Sequence, residues 1–338
     1  MEVFRAAGDY RYYHLAKNFW ELTINRYMYS IGGVGRGENF RDADILANHI
    51  EGGRNCETCA TYNMLKLTGM LYQYAPDHSP YMDYYERALL NHIAASQNPD
   101  AKEGALHGVT YMLPIGPGAQ KEYSNDYDDF TCCHGTGMEN HVRYTEHIYH
   151  HGDDGSLYLN LFLPSVYCWE EKGVTLSLEG DFPSQCFRLT VHRKTAGRTV
   201  SLNLKIRIPY WCRQTFRVSD RIGTLPEPSG DSGYYMIHRT FADGDFITVS
   251  TPFALHLCYT NDAYEGYPAA SLMYGPLVMT ALSRRTDWIT LNLPAALEDA
   301  FEIHWDKTPT LWYDDLEFIP SYAAHNQPYH TYFKINLT

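Results

Sequence analysis

Near residue 150 the hydrophobic period of the chain changes, and no single fold class accommodates both halves. Upstream, apolar residues recur at helical steps. Tyr12, Leu15, Phe19, Leu22 and Tyr27 make one stripe, and Met64, Leu67, Leu71 and Tyr74, closed by Pro76, make a second. A third helix is expected from Ser79, with Pro80 in its first turn, through Tyr84, Ala88 and Ile93 to Ser96. A fourth is expected to open at Thr136, where Thr136-Gly-Met-Glu139 fits a capping box. Downstream the period is two. In "SLNLKIRIP", Leu202, Leu204, Ile206 and Ile208 alternate with Ser201, Asn203, Lys205 and Arg207, and "VTLSLEG" and "FRLTVHR" repeat the pattern. Turn signals at Asp243–Gly244 and from Pro226 to Gly230 separate the runs. The expected fold class is therefore multidomain α plus β. A helical domain covers 1–150, an antiparallel β-sandwich 151–260, and a β-rich region 261–338, including "SLMYGPLVMTAL" and "YHTYFKI". At 338 residues the chain exceeds one compact core, which agrees with that division.

Charge and hydropathy narrow the function. With 27 Lys+Arg against 40 Asp+Glu, the net charge of −13 repels phosphate backbones and anionic lipid, so neither nucleic acid nor a membrane is an expected partner. No apolar run approaches the roughly 20 residues that span a bilayer. Met1-Glu2-Val3-Phe4-Arg5 opens no signal-like stretch. As it stands the chain reads as soluble and cytoplasmic, with a periplasmic location open if further sequence lies upstream. The 29 Tyr and 6 Trp suit stacking on sugar rings and ordinary amphipathic packing alike.

Half of the eight cysteines fall in two tight clusters, Cys56 with Cys59 and Cys132 with Cys133. Clustered thiols in a large chain indicate metal or redox chemistry, and a bridge between neighbours would close a strained ring. Asn55 is an expected cap for the second helix, and the adjacent cysteines precede the fourth, so both clusters lie at helix N-termini that favour thiolate. Spacing leaves three readings open: a site of Glu57, Cys59, Cys132 and Cys133; a structural zinc on Cys56, Cys59, Cys132 and Cys133; or a redox pair of Cys56 and Cys59. Nearby stand Glu38 in the glycine-rich "YSIGGVGRGENF" and Tyr111 in the long loop 97–131, a length that is usually functional. The acidic "YSNDYDDF" can bind calcium or simply be solvated, and His134 and His141 can contact substrate or support ligands.

Together, "IGGVGRGENF", "CETCATYNMLKL", "FTCCHGTGMENH", "LKIRIPYW" and "MYGPLV" resemble, in order over most of the chain, the β-L-arabinofuranosidases of glycoside hydrolase families 127 and 146. The resemblance implies an (α/α)6 barrel followed by β-sandwich modules. It implies Zn2+ held by Glu57, Cys59, Cys132 and Cys133, with Cys132 as nucleophile and Glu38 as general acid and base. It further implies Tyr111 as a sugar contact, beside which His134 is the histidine expected to bind substrate, and an arabinose-containing oligosaccharide or polysaccharide as substrate. Glu38 would then need a raised pKa for its first, proton-donating step. Cys56 is not among the implied ligands. A complete barrel of that kind holds more helices than fit before residue 150, so a C-terminal fragment is expected, and with it a rival reading: a carbohydrate-binding or scaffolding fragment whose zinc is purely structural.

Overall fold

The computed structural model describes residues 1–338 apart from 51–52, 99–107, 126, 195–198 and 228–232. Part of the long loop, Asp126 of the acidic stretch and the end of the turn at Pro226 to Gly230 thus lie outside the described residues. The chain is mixed α and β and divides into two compact units. One comprises Met1–Leu71, Tyr84–Arg143 and Leu255–Thr338; the other comprises Tyr72–Asp83 and Tyr144–Ala254. Residues 255–338 therefore return to the helical unit instead of standing apart.

The helical unit opens with α1 (Glu2–Ala7) and α2 (Tyr10–Arg26), between which Asp9 caps α2 by accepting the Arg11 N–H at 2.9 Å. α2 buries Trp20, whose indole N–H donates to Thr68 Oγ1 at 2.8 Å on α3 (Thr58–Tyr72). The stripe that the periodicity picks out on α2 is not its buried face: Tyr12, Leu15, Phe19 and Leu22 are exposed, Leu15 to 67%. Helical spacing reveals a stripe but not what covers it, and Trp20 and Thr23 instead face inward.

The third expected helix runs as α4 (Pro80–Ala88), then a π-helical turn Leu89–Ile93 and a 3-10 turn Ala94–Ser96. The wider turn gives its buried polar residues different partners. Asn91 donates to Pro276 O at 2.9 Å and accepts from Val278 N at 2.7 Å, while His92 meets Thr61 Oγ1 at 2.8 Å. Asn91 thereby ties the helices to a nine-stranded sheet built from C-terminal residues. Its path runs Thr290–Leu293, Phe333–Leu337, Tyr267–Tyr274, Leu277–Leu282, Leu316–Pro320, Pro309–Tyr313 and Glu302–Trp305, with Leu255–Tyr264 and Tyr329–His330 pairing off it. Tyr29, Ile31, Leu46, Cys56, Leu113 and Ile115 pack with Ala269, Met273 and Val278 of that sheet, and with Tyr332 just before its strand Phe333–Leu337, into one core.

In the second unit, Tyr149–His151, Leu157–Leu159, Val200–Arg207 and Tyr234–Phe241 make one sheet. Ser165–Trp169, Val174–Asp181, Cys186–Arg193, Asp245–Ser250 and Arg217–Ser219 make another. Leu202, Leu204 and Ile206 are buried at alternate positions, as the two-residue repeat requires. The pairing is not wholly antiparallel, because Leu157–Leu159 runs parallel to Val200–Arg207. Arg207, at a position the alternation assigns to solvent, is fully buried and pairs with Asp83 at 2.5 Å. Among the described residues no helix is long and apolar enough to cross a membrane.

Candidate metal and active site

Glu38 sits at the tip of a two-residue turn. Arg36 N–H donates to Asn39 O at 2.8 Å and Asn39 N–H donates back to Arg36 O at 3.3 Å, and both central residues are left-handed, Gly37 at φ 54° and Glu38 at φ 65°. This is the type I′ arrangement, in which Gly37 is at ease and Glu38 is strained. Gly37 N–H to Arg54 O (2.8 Å) and Cys56 N–H to Gly35 O (3.1 Å) fix the turn beside the start of α3.

Glu57 directly precedes α3, and its carbonyl accepts the Thr61 N–H at 3.2 Å. Asn55 does not cap that helix; it is buried and donates to His49 O at 3.0 Å. Residues 56–58 pair with 111–113 instead: Leu113 N–H donates to Cys56 O at 3.0 Å and Thr58 N–H to Tyr111 O at 3.0 Å. The pairing holds Tyr111 beside Glu57. His92 lies beneath, close to Thr58 Oγ1 at 3.4 Å, and burial holds its pKa down to about 3, so it is neutral.

The fourth helix begins four residues before its expected start, as α5 (Cys132–Asn140). Its cap is Thr131, and the capping box closes with His134, whose Nδ1 accepts the Thr131 N–H at 2.9 Å. Cys132 and Cys133 are thus the first two helical residues, and their own backbone N–H groups belong to the positive end of α5.

Glu57, Cys59, Cys132 and Cys133 converge, each offering one donor atom within 4.8 Å of every other. Cys59 Sγ lies 3.2 Å from Cys133 Sγ, and Glu57 Oε1 lies 3.7 Å from Cys132 Sγ and 4.0 Å from Cys133 Sγ. A tetrahedral ion with metal–sulfur bonds of about 2.3 Å spaces its ligands by about 3.8 Å, so the donor set fits such an ion. Burial pushes the Cys59 thiol up to about 11 and the Cys133 thiol higher still, so both are protonated at neutral pH unless a cation offsets the burial. Among the described residues this is the sole grouping of three or more His, Cys, Asp or Glu donors. Cys56 is not in it. Its side chain is fully buried in the apolar core, and a Cβ on Gly33 would lie only 2.8 Å from its sulfur. The four-cysteine alternative loses its geometry, and Cys56 and Cys59 are both buried free thiols.

A cavity of about 560 Å³ opens beside the cluster, lined by Glu38, Arg54, Tyr111, Glu122, Asp129 and His134 among others. The Tyr111 hydroxyl donates a very short hydrogen bond to Glu38 Oε1 and lies 3.6 Å from the sulfur of Cys132, which is exposed. The Glu38 carboxylate beside it, and Cys132 after that, hold the Tyr111 phenol well above its ordinary value. Nδ1 of His134 accepts the Thr131 N–H, and its Nε2 is buried with no partner among the described residues. His141 is elsewhere: it ends α5, with Nε2 3.5 Å from Ser96 Oγ, and burial lowers its pKa to about 4. In the acidic stretch Asn125 Oδ1 accepts N–H groups from Tyr127 and Asp128 at 2.9 Å each, a local turn, and Tyr123, Ser124 and Asp129 reach the cavity.

Arg54, Gln120 and Glu122 were not singled out by sequence. The wall they help form is held by remote C-terminal residues: Tyr329 OH donates to Pro114 O at 2.6 Å, Lys121 Nζ to Ser321 O at 2.7 Å, and Tyr123 OH lies 2.9 Å from His325 Nδ1.

Residues 1–146 match the description "Beta-L-arabinofuranosidase, GH127 catalytic domain", and residues 156–253 match "Beta-L-arabinofuranosidase, GH127 middle domain". The chain belongs to glycoside hydrolase family 127. Every residue of the cluster, with Glu38, Tyr111 and His134, falls within the GH127 catalytic match. Among solved structures, a GH127 β-L-arabinofuranosidase from Geobacillus stearothermophilus T6 superposes with a TM-score of 0.72 at 20% identity, over 94% of this chain and 56% of its own. The GH127 β-arabinofuranosidase BT3674 gives 0.77 at 19% identity, over 99% and 58%. A protein described as a glycoside hydrolase gives 0.71 at 18% identity, over 94% and 61%. These likenesses are of fold, and the chain spans less than two thirds of each neighbour. No curated protein matches it.

Proposed function

We propose that this GH127 protein is a zinc-dependent retaining glycoside hydrolase that releases β-L-arabinofuranose from the non-reducing ends of arabinose-containing glycans. The observation that carries the reading is the meeting of Cys132 and Glu38 on one Tyr111 hydroxyl, beside a cavity of sugar-accepting size. Contact with a common oxygen keeps the two groups within about 6 Å of each other, short of the roughly 6.5–9.5 Å that separates an inverting pair, which supports retention.

Glu57, Cys59, Cys132 and Cys133 would hold the ion. Zinc, when bound, supplies the positive charge that keeps the Cys132 sulfur ionised near neutral pH. The sulfur attacks the anomeric carbon while Glu38 passes a proton to the departing glycosidic oxygen, and the C–O bond breaks as the C–S bond forms. Glu38, now a carboxylate, takes a proton from water; the water oxygen displaces sulfur and the sugar leaves with its configuration retained. Tyr111 orients the Glu38 carboxyl before attack, and His134, in the cavity lining, is a second sugar contact. In the finer reading of the fold, the helices are part of an (α/α)6 barrel and the sheets of the second unit form a sandwich.

The test is hydrolysis of an aryl β-L-arabinofuranoside by the protein, its Cys132→Ser variant and its Glu38→Ala variant. Turnover lost in Cys132→Ser, with a glycosyl adduct on Cys132 trapped in Glu38→Ala, supports the proposal. Unchanged turnover by Cys132→Ser removes the nucleophile, and sugar binding by the zinc-loaded protein without any turnover favours a structural zinc in a carbohydrate-binding protein.

A further inference from the structure

Thr136 does not cap α5, because the capping box belongs to Thr131 and His134. It lies within α5, and its hydroxyl is 3.4 Å from Cys59 Sγ, 3.4 Å from Cys132 O and 3.3 Å from Cys133 O. Its proton has two carbonyls in reach and, once Cys59 is ionised, a third acceptor in that sulfur. A helical threonine ordinarily gives that proton to a carbonyl of the preceding turn. Here the competing acceptor is a buried sulfur of the metal cluster, and a hydrogen bond to an ionised acceptor is roughly twice as strong as one between neutral groups.

The other sulfurs differ. Cys132 Sγ meets the Tyr111 hydroxyl at 3.6 Å, whereas Cys133 Sγ faces the Tyr111 carbonyl at 3.6 Å, which has no proton to give. We infer that Thr136 is a positioning residue of the metal centre, its hydroxyl turning from the helix carbonyls to donate to ionised Cys59 and so fixing that ligand. The inference rests on the cluster binding a metal, as proposed above. The hydroxyl, 3.4 Å from that sulfur, supplies it with a donor and draws electron density from Cys59 alone.

The experiment measures zinc affinity by competition with a chromophoric chelator, and the sulfur-to-metal charge-transfer band of the cobalt(II) form, in the full chain and in Thr136→Val and Thr136→Ser. Loss of such a supporting partner typically weakens metal binding roughly 10–100-fold. Thr136→Val should show that loss and a charge-transfer band at longer wavelength, and Thr136→Ser should restore both. Should Thr136→Val not fold, Thr136→Ala against Thr136→Ser gives the same contrast. Equal affinity and an unmoved band in Thr136→Val would overturn the inference, as would an equal loss in Thr136→Ser, which would make the methyl group responsible. A wild-type chain that binds neither zinc nor cobalt would instead overturn the metal reading beneath it.

Discussion

Cys59 Sγ and Cys133 Sγ lie 3.2 Å apart, brought together from α3 and α5 across 74 residues of chain. The gap far exceeds the roughly 2.05 Å of a disulfide, and burial alone would keep both thiols protonated. A divalent cation held between them, as proposed above, would resolve that conflict.

Cys56 stands three positions before Cys59 and yet belongs to the apolar core. Cys56→Ala should therefore retain one equivalent of metal while losing about 1 kcal/mol of stability to the small void it leaves. Cys59→Ala should lose the metal. Metal analysis after desalting, with a denaturant melt of each variant, checks both.

Glu38 combines a reactive carboxyl with a left-handed backbone. Glu38→Gly should lower turnover about 10²–10⁴-fold, the range for removing a general acid and base, while leaving metal content unchanged. The same substitution relieves a strained residue, so stability should rise by up to about 1 kcal/mol. Activity and stability measured on one preparation must move in opposite directions.

The Tyr111 hydroxyl joins Glu38 to Cys132. Tyr111→Phe keeps the ring and the backbone pairing with Thr58 but removes that link. Turnover should fall roughly 10–100-fold with metal content intact, since only the positioning hydroxyl is lost. Steady-state kinetics beside metal analysis separates this outcome from collapse of the site.

Lys121 is buried, with its ammonium on Ser321 O, and burial pulls its pKa down to about 7. The unfolded chain keeps a lysine near 10.4, so between about pH 7 and 10 it binds more protons than the folded chain. Relative to Lys121→Met, the native protein should become more stable as pH rises through that window, by at most about 1.4 kcal/mol per unit, and should lose that advantage as pH falls through 7. Paired denaturant titrations at pH 7 and pH 9 read the difference directly.

Much of this was legible in the sequence because it depends on local patterns. The change of period separated helices from strands, and the two cysteine clusters stood out, but spacing left three donor sets open and only the family resemblance singled out Glu57, Cys59, Cys132 and Cys133, the set that converges. The start of α5 was not legible, since Thr136 with Glu139 satisfies the same pattern that Thr131 meets with a histidine in the glutamate's place. The exposed stripe on α2 shows that period alone does not say which apolar face is covered. Least visible was the cavity wall. Tyr329, Ser321 and His325 support it from about 200 residues away, through single hydrogen bonds that leave no periodic trace.

X-ray absorption at the zinc edge of the purified, folded chain tests the central claim most directly. The account predicts one zinc per chain, with three sulfur neighbours at about 2.3 Å and one oxygen at about 2.0–2.2 Å. Four sulfur neighbours, or a chain without zinc whose Cys59, Cys132 and Cys133 thiols titrate freely, would contradict it.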